Sequence, residues 1–355
     1  MVMSEAIFIT GVTGLIGREL LYQLLNGDQE HQITVLIRPK AIYSAEARLE
    51  KLLQSIDIDP IKSLQVSVVS GDITKKFLGM PEGQYQELAN RIDTIFHLAA
   101  VTDLMPDKEH ATIHNVEGTA RLLKFAKLSS NLQGAPIKFR HVSTAYVCGQ
   151  MTGVVSPDDL PISGFRNLYE QTKAEAERLV RVAASELDVL IYRPSIVVGY
   201  SNKWTVSRKK TIPLILKLLI TERLMKIPVN ANVLFDFVLV DYVAQVIWEL
   251  HKNNQVSGNC YHLASGCKNE VSAEQLVNYV SNFYLKCGKV LSKPDFVDIH
   301  LYKHEPLSER IRSHLPYLQS NPIFDVNKTT RMIEDSLGFL PFETYVEDLC
   351  RDVLV

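Results

Sequence analysis

Tyr169-Glu-Gln-Thr-Lys173 is the stretch of this chain best suited to move a proton. Around it, residues 168–184 carry Ala174, Ala176, Leu179 and Val180 at helical intervals, so the segment predicts a helix. Residues four apart then share one helical face. An isolated phenol titrates at about 10, too high to exchange protons readily at neutrality. A lysine ammonium on the same face favours the phenolate and lowers that value. The strand-like run 137–142 ends at Ser143-Thr144, which would bring a hydroxyl donor beside the tyrosine. Thr144, Tyr169 and Lys173 together would make an oxyanion site that also donates a proton to a carbonyl. Tyr-x-x-x-Lys by itself arises by chance in many helices, so the weight falls on the elements that position it.

The first of these elements is Ala6-Ile-Phe-Ile-Thr-Gly-Val-Thr-Gly-Leu-Ile-Gly17, an apolar strand running into three spaced glycines. The leucines of Leu20-Leu21 and Leu24-Leu25 continue it as a helix. Strand, glycine turn and helix N-terminus together form an anion site, because backbone N–H groups there lack intrahelical partners and point outward. Gly11, Thr13, Gly14, Leu15, Ile16 and Gly17 are the candidate pyrophosphate cradle. Their Gly-x-x-Gly-x-x-Gly spacing departs from the commoner Gly-x-Gly-x-x-Gly. Further strand-like runs at 33–37, 64–69, 92–97, 137–142 and 189–192 alternate with helical segments at 44–56, 84–91, 109–129 and 167–186. That alternation predicts an α/β, Rossmann-type doubly wound parallel sheet with ligands beyond the strand C-termini.

The loops after those strands hold the remaining candidates. Arg38 follows the second strand, where a carboxylate would suit the 2′-hydroxyl of NAD and a guanidinium suits the 2′-phosphate of NADP. NADPH (or NADP+) is therefore the expected cofactor, with Lys40 and Arg48 available to the same patch. Asp72 and Ile73 follow the third strand, with Asp72 suited to accept from an adenine amino group. Ala99, Ala100 and Val101 follow the fourth and leave room for a cofactor backbone. Asn115 sits within a helical segment, either bonding a backbone group or water, or facing solvent.

The composition excludes several other classes. The chain has 355 residues, 46% hydrophobic, with a formal net charge of −2, which gives no bulk electrostatic case for nucleic acid. Five cysteines without paired spacing fit free thiols better than a disulfide framework or a zinc site, and no signal peptide is visible, so a cytoplasmic setting is expected. The apolar run 212–220 is too short to span a bilayer.

Thr10-Gly-Val-Thr-Gly-Leu-Ile-Gly17, His97-Leu-Ala-Ala100, Asn115-Val-Glu-Gly-Thr119, Val142-Ser-Thr144, Tyr169-x-x-x-Lys173 and Arg193-Pro-Ser-Ile-Val-Val-Gly199 follow one another as in extended short-chain dehydrogenases/reductases, which this chain resembles. Leu36-Ile-Arg38, Gly71-Asp-Ile-Thr74, Asn167-Leu-Tyr169 and Val240-Asp-Tyr-Val243 look most like thioester reductases. These include the terminal reductase domains of peptide synthetases and of carboxylic acid reductases, with fatty acyl-CoA reductases as relatives. The resemblance implies NADPH-dependent reduction of an acyl thioester on a carrier protein or CoA to an aldehyde, with possible onward reduction to an alcohol. It adds Pro194 and Ile196 to the cofactor site, and has Tyr169 and Lys173 reach the nicotinamide ribose. It also implies a cofactor domain over residues 1–200, rejoined by 233–265, and a mainly substrate-binding region over 201–232 and 266–355. The second-half runs 234–240 and 261–264 look like a return to the sheet. Lys203, Arg208, Lys209 and Lys210 form a basic loop that either attracts phosphates or is simply solvated.

Rival readings share the scaffold: a ketone/alcohol oxidoreductase, a nucleotide-sugar epimerase or dehydratase, or a non-catalytic cofactor sensor. Arg38 argues against the sugar-modifying group, which generally holds NAD. Oligomeric state is left open by the sequence.

Overall fold

A computed structural model of the chain describes residues 4–200, 216, 219, 226–253, 256–297, 316–317, 321–333 and 339–354. Its centre is a seven-stranded, all-parallel sheet. The strands are β1 (Ala6–Thr10), β2 (Gln32–Ile37), β3 (Val66–Ser70), β4 (Thr94–His97), β5 (Lys138–Val142), β6 (Asp188–Pro194) and β7 (Asn259–Leu263). Their order across the sheet is β3-β2-β1-β4-β5-β6-β7. The winding reverses between β1 and β4, and in open parallel sheets that reversal opens a crevice at the strand C-termini.

Helices cover both faces, as a parallel sheet requires. On one side α1 (Leu15–Asn26), α2 (Ala45–Ser55) and α6 (Val240–Lys252) pack over Ile7, Ile9, Ile33 and Val35. On the other, α3 (Glu82–Ala89), α4 (Gly118–Gln133) and α5 (Leu168–Ala183) pack over Phe8, Ile95, Phe139 and Val189. The near-continuous apolar strands, such as β2 with Ile33 to Ile37 buried, follow from being covered on both faces. A separate apolar cluster gathers Phe235, Phe237 and Leu239 with α7 (Ala273–Lys286) and α8 (Val346–Leu354).

Two expectations change. The run 234–240 does not enter the central sheet. Phe237–Val238 pairs in parallel with Ile196–Val197, and Leu234–Phe235 pairs with Val271–Ser272. Only Asn259–Leu263 returns, as the edge strand β7 beside β6. The alternating pattern of 234–240 reads as strand in either setting, because a two-residue pairing and a sheet strand leave the same local signal. The predicted helix 109–129 is broken into Lys108–Ala111, a π-helical stretch Thr112–Glu117, and α4. The basic loop 201–210 and most of the apolar run 212–220 lie outside the described residues; Leu216 and Leu219 are described and buried.

Candidate active site

A cleft of about 1220 Å³ opens along the C-terminal ends of β1, β2, β4, β5 and β6. Its walls include Gly11, Thr13, Gly14, Leu15, Ile16 and Gly17 at one place, Arg38, Asp72 and Ile73 towards one end, and Thr144, Tyr169 and Lys173 towards the other. Ala99, Ala100, Val101, Pro194 and Ile196 also line it. Asn115 stands behind the wall. It is buried, accepts from Val101 N at 2.8 Å and donates to Val101 O at 3.1 Å and to Thr172 Oγ1 at 3.0 Å. Of the alternatives open for Asn115, bonding a backbone group is the one realised.

The glycine turn has two separate reasons for its composition. Gly11 has φ +78°, and a Cβ there would lie 2.4 Å from Ala99 N. A Cβ on Gly17 would lie 2.4 Å from Gly11 O, so this residue lets α1 close on the turn. The N-cap is Gly14, no side chain caps the helix, and its first turn holds no acidic residue. The first-turn N–H groups therefore face the cleft without a competing carboxylate, which suits a pyrophosphate. A cleft of this size and lining fits a dinucleotide.

At the β2 end, Arg38 Nη1 lies 3.5 Å from Asp72 Oδ2 and 3.1 Å from His114 Nε2. Arg48, from α2, donates through Nη1 to Arg38 O and through Nη2 to Thr13 Oγ1 at 3.5 Å. Arg48 thus joins the cationic patch, whereas Lys40 makes a backbone bridge to Tyr43 and does not line the cleft. Asp72 is held in place by Thr74, whose N and Oγ1 donate at 2.9 and 2.8 Å. Burial works to raise the Asp72 carboxyl, but these bonds and Arg38 hold it below its usual range.

At the other end, Asn167 caps α5 by accepting from Glu170 N at 3.0 Å, which places Tyr169 in the first turn facing Thr144. The Tyr169 and Thr144 side chains line the same end of the cleft, where Thr144 Oγ1 donates to Pro194 O at 3.4 Å and accepts from Tyr146 N at 3.3 Å. One turn on, Lys173 is buried and its Nζ donates to Val142 O at 2.8 Å. Burial lowers Lys173 to about 8, with Glu177 opposing, and burial pushes Tyr169 up to about 12, which the nearby Thr144 hydroxyl opposes. This corrects the expected downward shift of the tyrosine. Lys173 shares its helical face, yet its Nζ is hydrogen-bonded to the end of β5 rather than to Tyr169, and desolvation of the phenolate dominates.

Sequence reasoning missed what lies behind these groups. Tyr169, Lys173 and Glu177 form one i, i+4, i+8 face of α5. Glu177 is fully buried and accepts from Ser143 Oγ at 2.7 Å, Arg193 Nε at 3.0 Å, Arg193 Nη2 at 2.7 Å and Arg181 Nε at 2.9 Å. It ties α5 to β5 and β6 just where Thr144 and Pro194 emerge. Burial would raise its carboxyl, but the two arginines and Ser143 keep it below its usual value. The repeat Tyr-x-x-x-Lys-x-x-x-Glu was the available signal. Beneath the glycine turn, His97 bonds Thr10 Oγ1 at 2.8 Å and Thr119 Oγ1 at 2.9 Å. Thr119 donates its own proton to Asn115 O at 2.6 Å, so it accepts from His97 Nε2–H, and Nδ1 accepts from Thr10.

A crevice at the switch point, a bare helix N-terminus and a Thr-Tyr-Lys cluster coincide in one cleft, and the sequence match extends across all of them. The model of the male sterility protein family matches residues 9–247, from β1 into α6. The chain belongs to this NAD-binding family. Among curated relatives, a fatty acyl-CoA reductase of Drosophila melanogaster is 28% identical over 55% of this chain and 43% of its own length. A nonribosomal peptide synthetase of Aspergillus flavus is 25% identical over 98% of this chain and 36% of its own length. The chain thus spans less than half of each of these relatives. The crystal structure of the terminal R domain of the myxalamid biosynthetic pathway matches with TM-score 0.81 and 23% identity, covering 100% of this chain and 92% of that one. A thiolation-reductase di-domain of an archaeal nonribosomal peptide synthetase matches with TM-score 0.78 and 21% identity, over 99% and 76%. UDP-glucuronic acid 4-epimerase of Bacillus cereus, solved with NAD, matches with TM-score 0.70 and 19% identity, over 98% of each chain. At these identities the structural likeness speaks to the fold, a Rossmann-type sheet with flanking helices. No helix among the described residues is long and apolar enough to cross a membrane.

Proposed function

We propose that this family member is an NADPH-dependent reductase of acyl thioesters borne on the phosphopantetheine of a carrier protein or of CoA. The observation that carries it is the juxtaposition, in one cleft, of the uncapped α1 N-terminus, the Arg38–Arg48 patch and the Thr144–Tyr169 hydroxyl pair. The kinship with fatty acyl-CoA reductases and with synthetase reductase domains supports the thioester as substrate class. Arg38 and Arg48, in place of a carboxylate after β2, support NADPH over NADH.

When bound, the reduced nicotinamide supplies the hydride to the thioester carbonyl. Thr144 and Tyr169 would donate to the carbonyl oxygen as negative charge develops there, and Tyr169 would give up its proton. The high Tyr169 value keeps this proton in place until the oxyanion forms. Lys173, charged below about pH 8, would stabilise the resulting phenolate from one helical turn away and reach the nicotinamide ribose. Collapse of the hemithioacetal then releases the thiol and an aldehyde, and the same groups could serve a second reduction to the alcohol. Gly11, Thr13, Gly14, Leu15, Ile16 and Gly17 would hold the pyrophosphate, Asp72 and Ile73 the adenine, and Ala99, Ala100, Val101, Pro194 and Ile196 the nicotinamide half. Asn115 would act through Val101, by fixing that loop.

The test is NADPH oxidation against acyl-CoA and acyl-pantetheine thioesters, with ketones and aldehydes alongside, following free thiol. Thiol release in step with NADPH loss is the expected result. Turnover of ketones without thiol release would move the chain to ketone/alcohol oxidoreduction.

A further inference from the structure

The patch at the end of β2 contains a group that the cofactor reading above does not use. His114 lies in the cleft wall on the π-helical stretch Thr112–Glu117. Single π turns inside helices are rare and gather at functional sites. Here the turn serves two neighbours at once, since Asn115 is buried on Val101 while His114 faces Arg38.

The hydrogen-bond roles at His114 are determined by its partners. Its Nδ1 faces His110 O at 2.9 Å, so Nδ1 carries the hydrogen. Its Nε2 faces Arg38 Nη1 at 3.1 Å, a guanidinium that only donates, so Nε2 is the acceptor. The imidazole is therefore neutral here, with its one free lone pair spent on the arginine that is suited to a phosphate. We infer that His114 is a specificity-determining ligand for the ribose 2′-phosphate, which it contacts as an imidazolium beside Arg38. This rests on the NADPH reading.

A phosphate dianion on the Arg38 fork would attract the Arg38 N–H from Nε2 to a phosphate oxygen. The freed lone pair takes one proton from solvent, and Nε2–H then donates to a second phosphate oxygen. Asp72, from the loop after β3, favours the added charge. Arg38 from β2, Arg48 from α2, and His110, whose ring centroid is 4.1 Å from that of His114, oppose it. Glu117, on the same turn, is engaged by Arg121 at 2.8 Å. A dianion neutralises the arginines and leaves the balance in favour of protonation. NADH has no such group and would leave His114 as it is.

The experiment is a fluorescence titration of the whole protein with NADPH and with NADH at pH 6.5 and 8.5, a range in which the phosphate stays largely dianionic. The native preference for NADPH over NADH should be roughly fivefold larger at the lower pH; the loss of Lys173 charge near pH 8 acts on both cofactors and cancels in that ratio. His114→Gln keeps an acceptor for Arg38 but cannot be protonated, so it should lose the pH dependence. His110→Gln, which keeps the backbone acceptor, should retain it. A native preference for NADPH that is equal at both pH values, or a His114→Gln protein that keeps the dependence, would overturn the inference while leaving the cofactor reading intact. Native binding of NADPH no tighter than NADH would overturn the cofactor reading, and this inference with it.

Discussion

Lowering the pH from 8 to 5 should destabilise this protein, because of histidines held neutral inside it. Burial lowers His97 to about 3, with the Lys173 charge adding; His262 to about 3, with Arg193 adding; and His251 to about 4. Each is at most 2% exposed. At His251 the hydrogen bond from Arg140 adds to the effect of burial. His251 accepts from Arg140 Nε at 3.0 Å, so its other nitrogen donates to Glu5 Oε2 at 3.0 Å. Protonating Nδ1 of His251 would set two donors face to face. In the unfolded chain a histidine takes its proton near pH 6.5, so between that value and the folded one the unfolded state binds more protons. Stability is then full above about pH 6.5 and falls as pH drops towards 4. At pH 5 each of these groups costs about 2 kcal/mol, and the three together cost roughly 6 kcal/mol. Glu270 works the other way. Burial and Asp236 raise it to about 7, so the folded state gains its proton first. It is only partly buried, and a screened contribution of about 2 kcal/mol leaves a net loss of roughly 4 kcal/mol. That is a large share of the stability of an ordinary domain. Thermal melting followed by circular dichroism should show a midpoint lower by about 5 °C at pH 5 than at pH 8. Calorimetry in buffers of different ionisation enthalpy should find about three protons taken up on unfolding at pH 5, two net from these groups and about one from His141, which burial also holds neutral. A midpoint unchanged over this range, with no proton uptake, would refute the assignment of these histidines as buried and neutral.

Four substitutions probe the site. Tyr169→Phe should cut turnover by roughly 10²–10⁴-fold if the hydroxyl transfers the proton, with NADPH affinity little changed; near-normal turnover would sink its role. Glu177→Gln leaves the fully buried Arg193 without its counter-charge and should cost about 3–5 kcal/mol in denaturant unfolding. A cost under about 1 kcal/mol would mean that the Glu177 cluster is not the clamp described. Gly11→Ala puts a methyl 2.4 Å from Ala99 N at a positive φ, so it should lower both the melting midpoint and cofactor affinity, and a protein unaffected in both would contradict the turn geometry. Arg38→Ser should weaken NADPH by about tenfold or more while sparing NADH, measured by fluorescence titration; equal loss for both cofactors would point to a structural arginine.

The sequence alone was enough for the sheet and the principal side chains. Continuous apolar strands, a glycine turn leading into a helix and a tyrosine one turn before a lysine are local patterns, each set by backbone geometry within a few residues. They located β1 to β6, the glycine turn before α1 and the neighbouring placement of Thr144, Tyr169 and Lys173 with little error. The family match and the parallel, doubly wound sheet followed the same lines. Tertiary structure decided the charge states and the supports. Tyr169 sits high because the protein around it excludes water, a quantity that no spacing encodes. Glu177 and Arg193 are sixteen positions apart in sequence and meet only because α5 lies against β6. Arg38 and His114 meet only because the sheet puts β2 and the π-helical stretch at one end of the cleft. Sequence patterns specify which face of an element is apolar. Which polar groups are trapped together beneath that face depends on how the elements pack, and in this chain that packing determines the titration behaviour of the site.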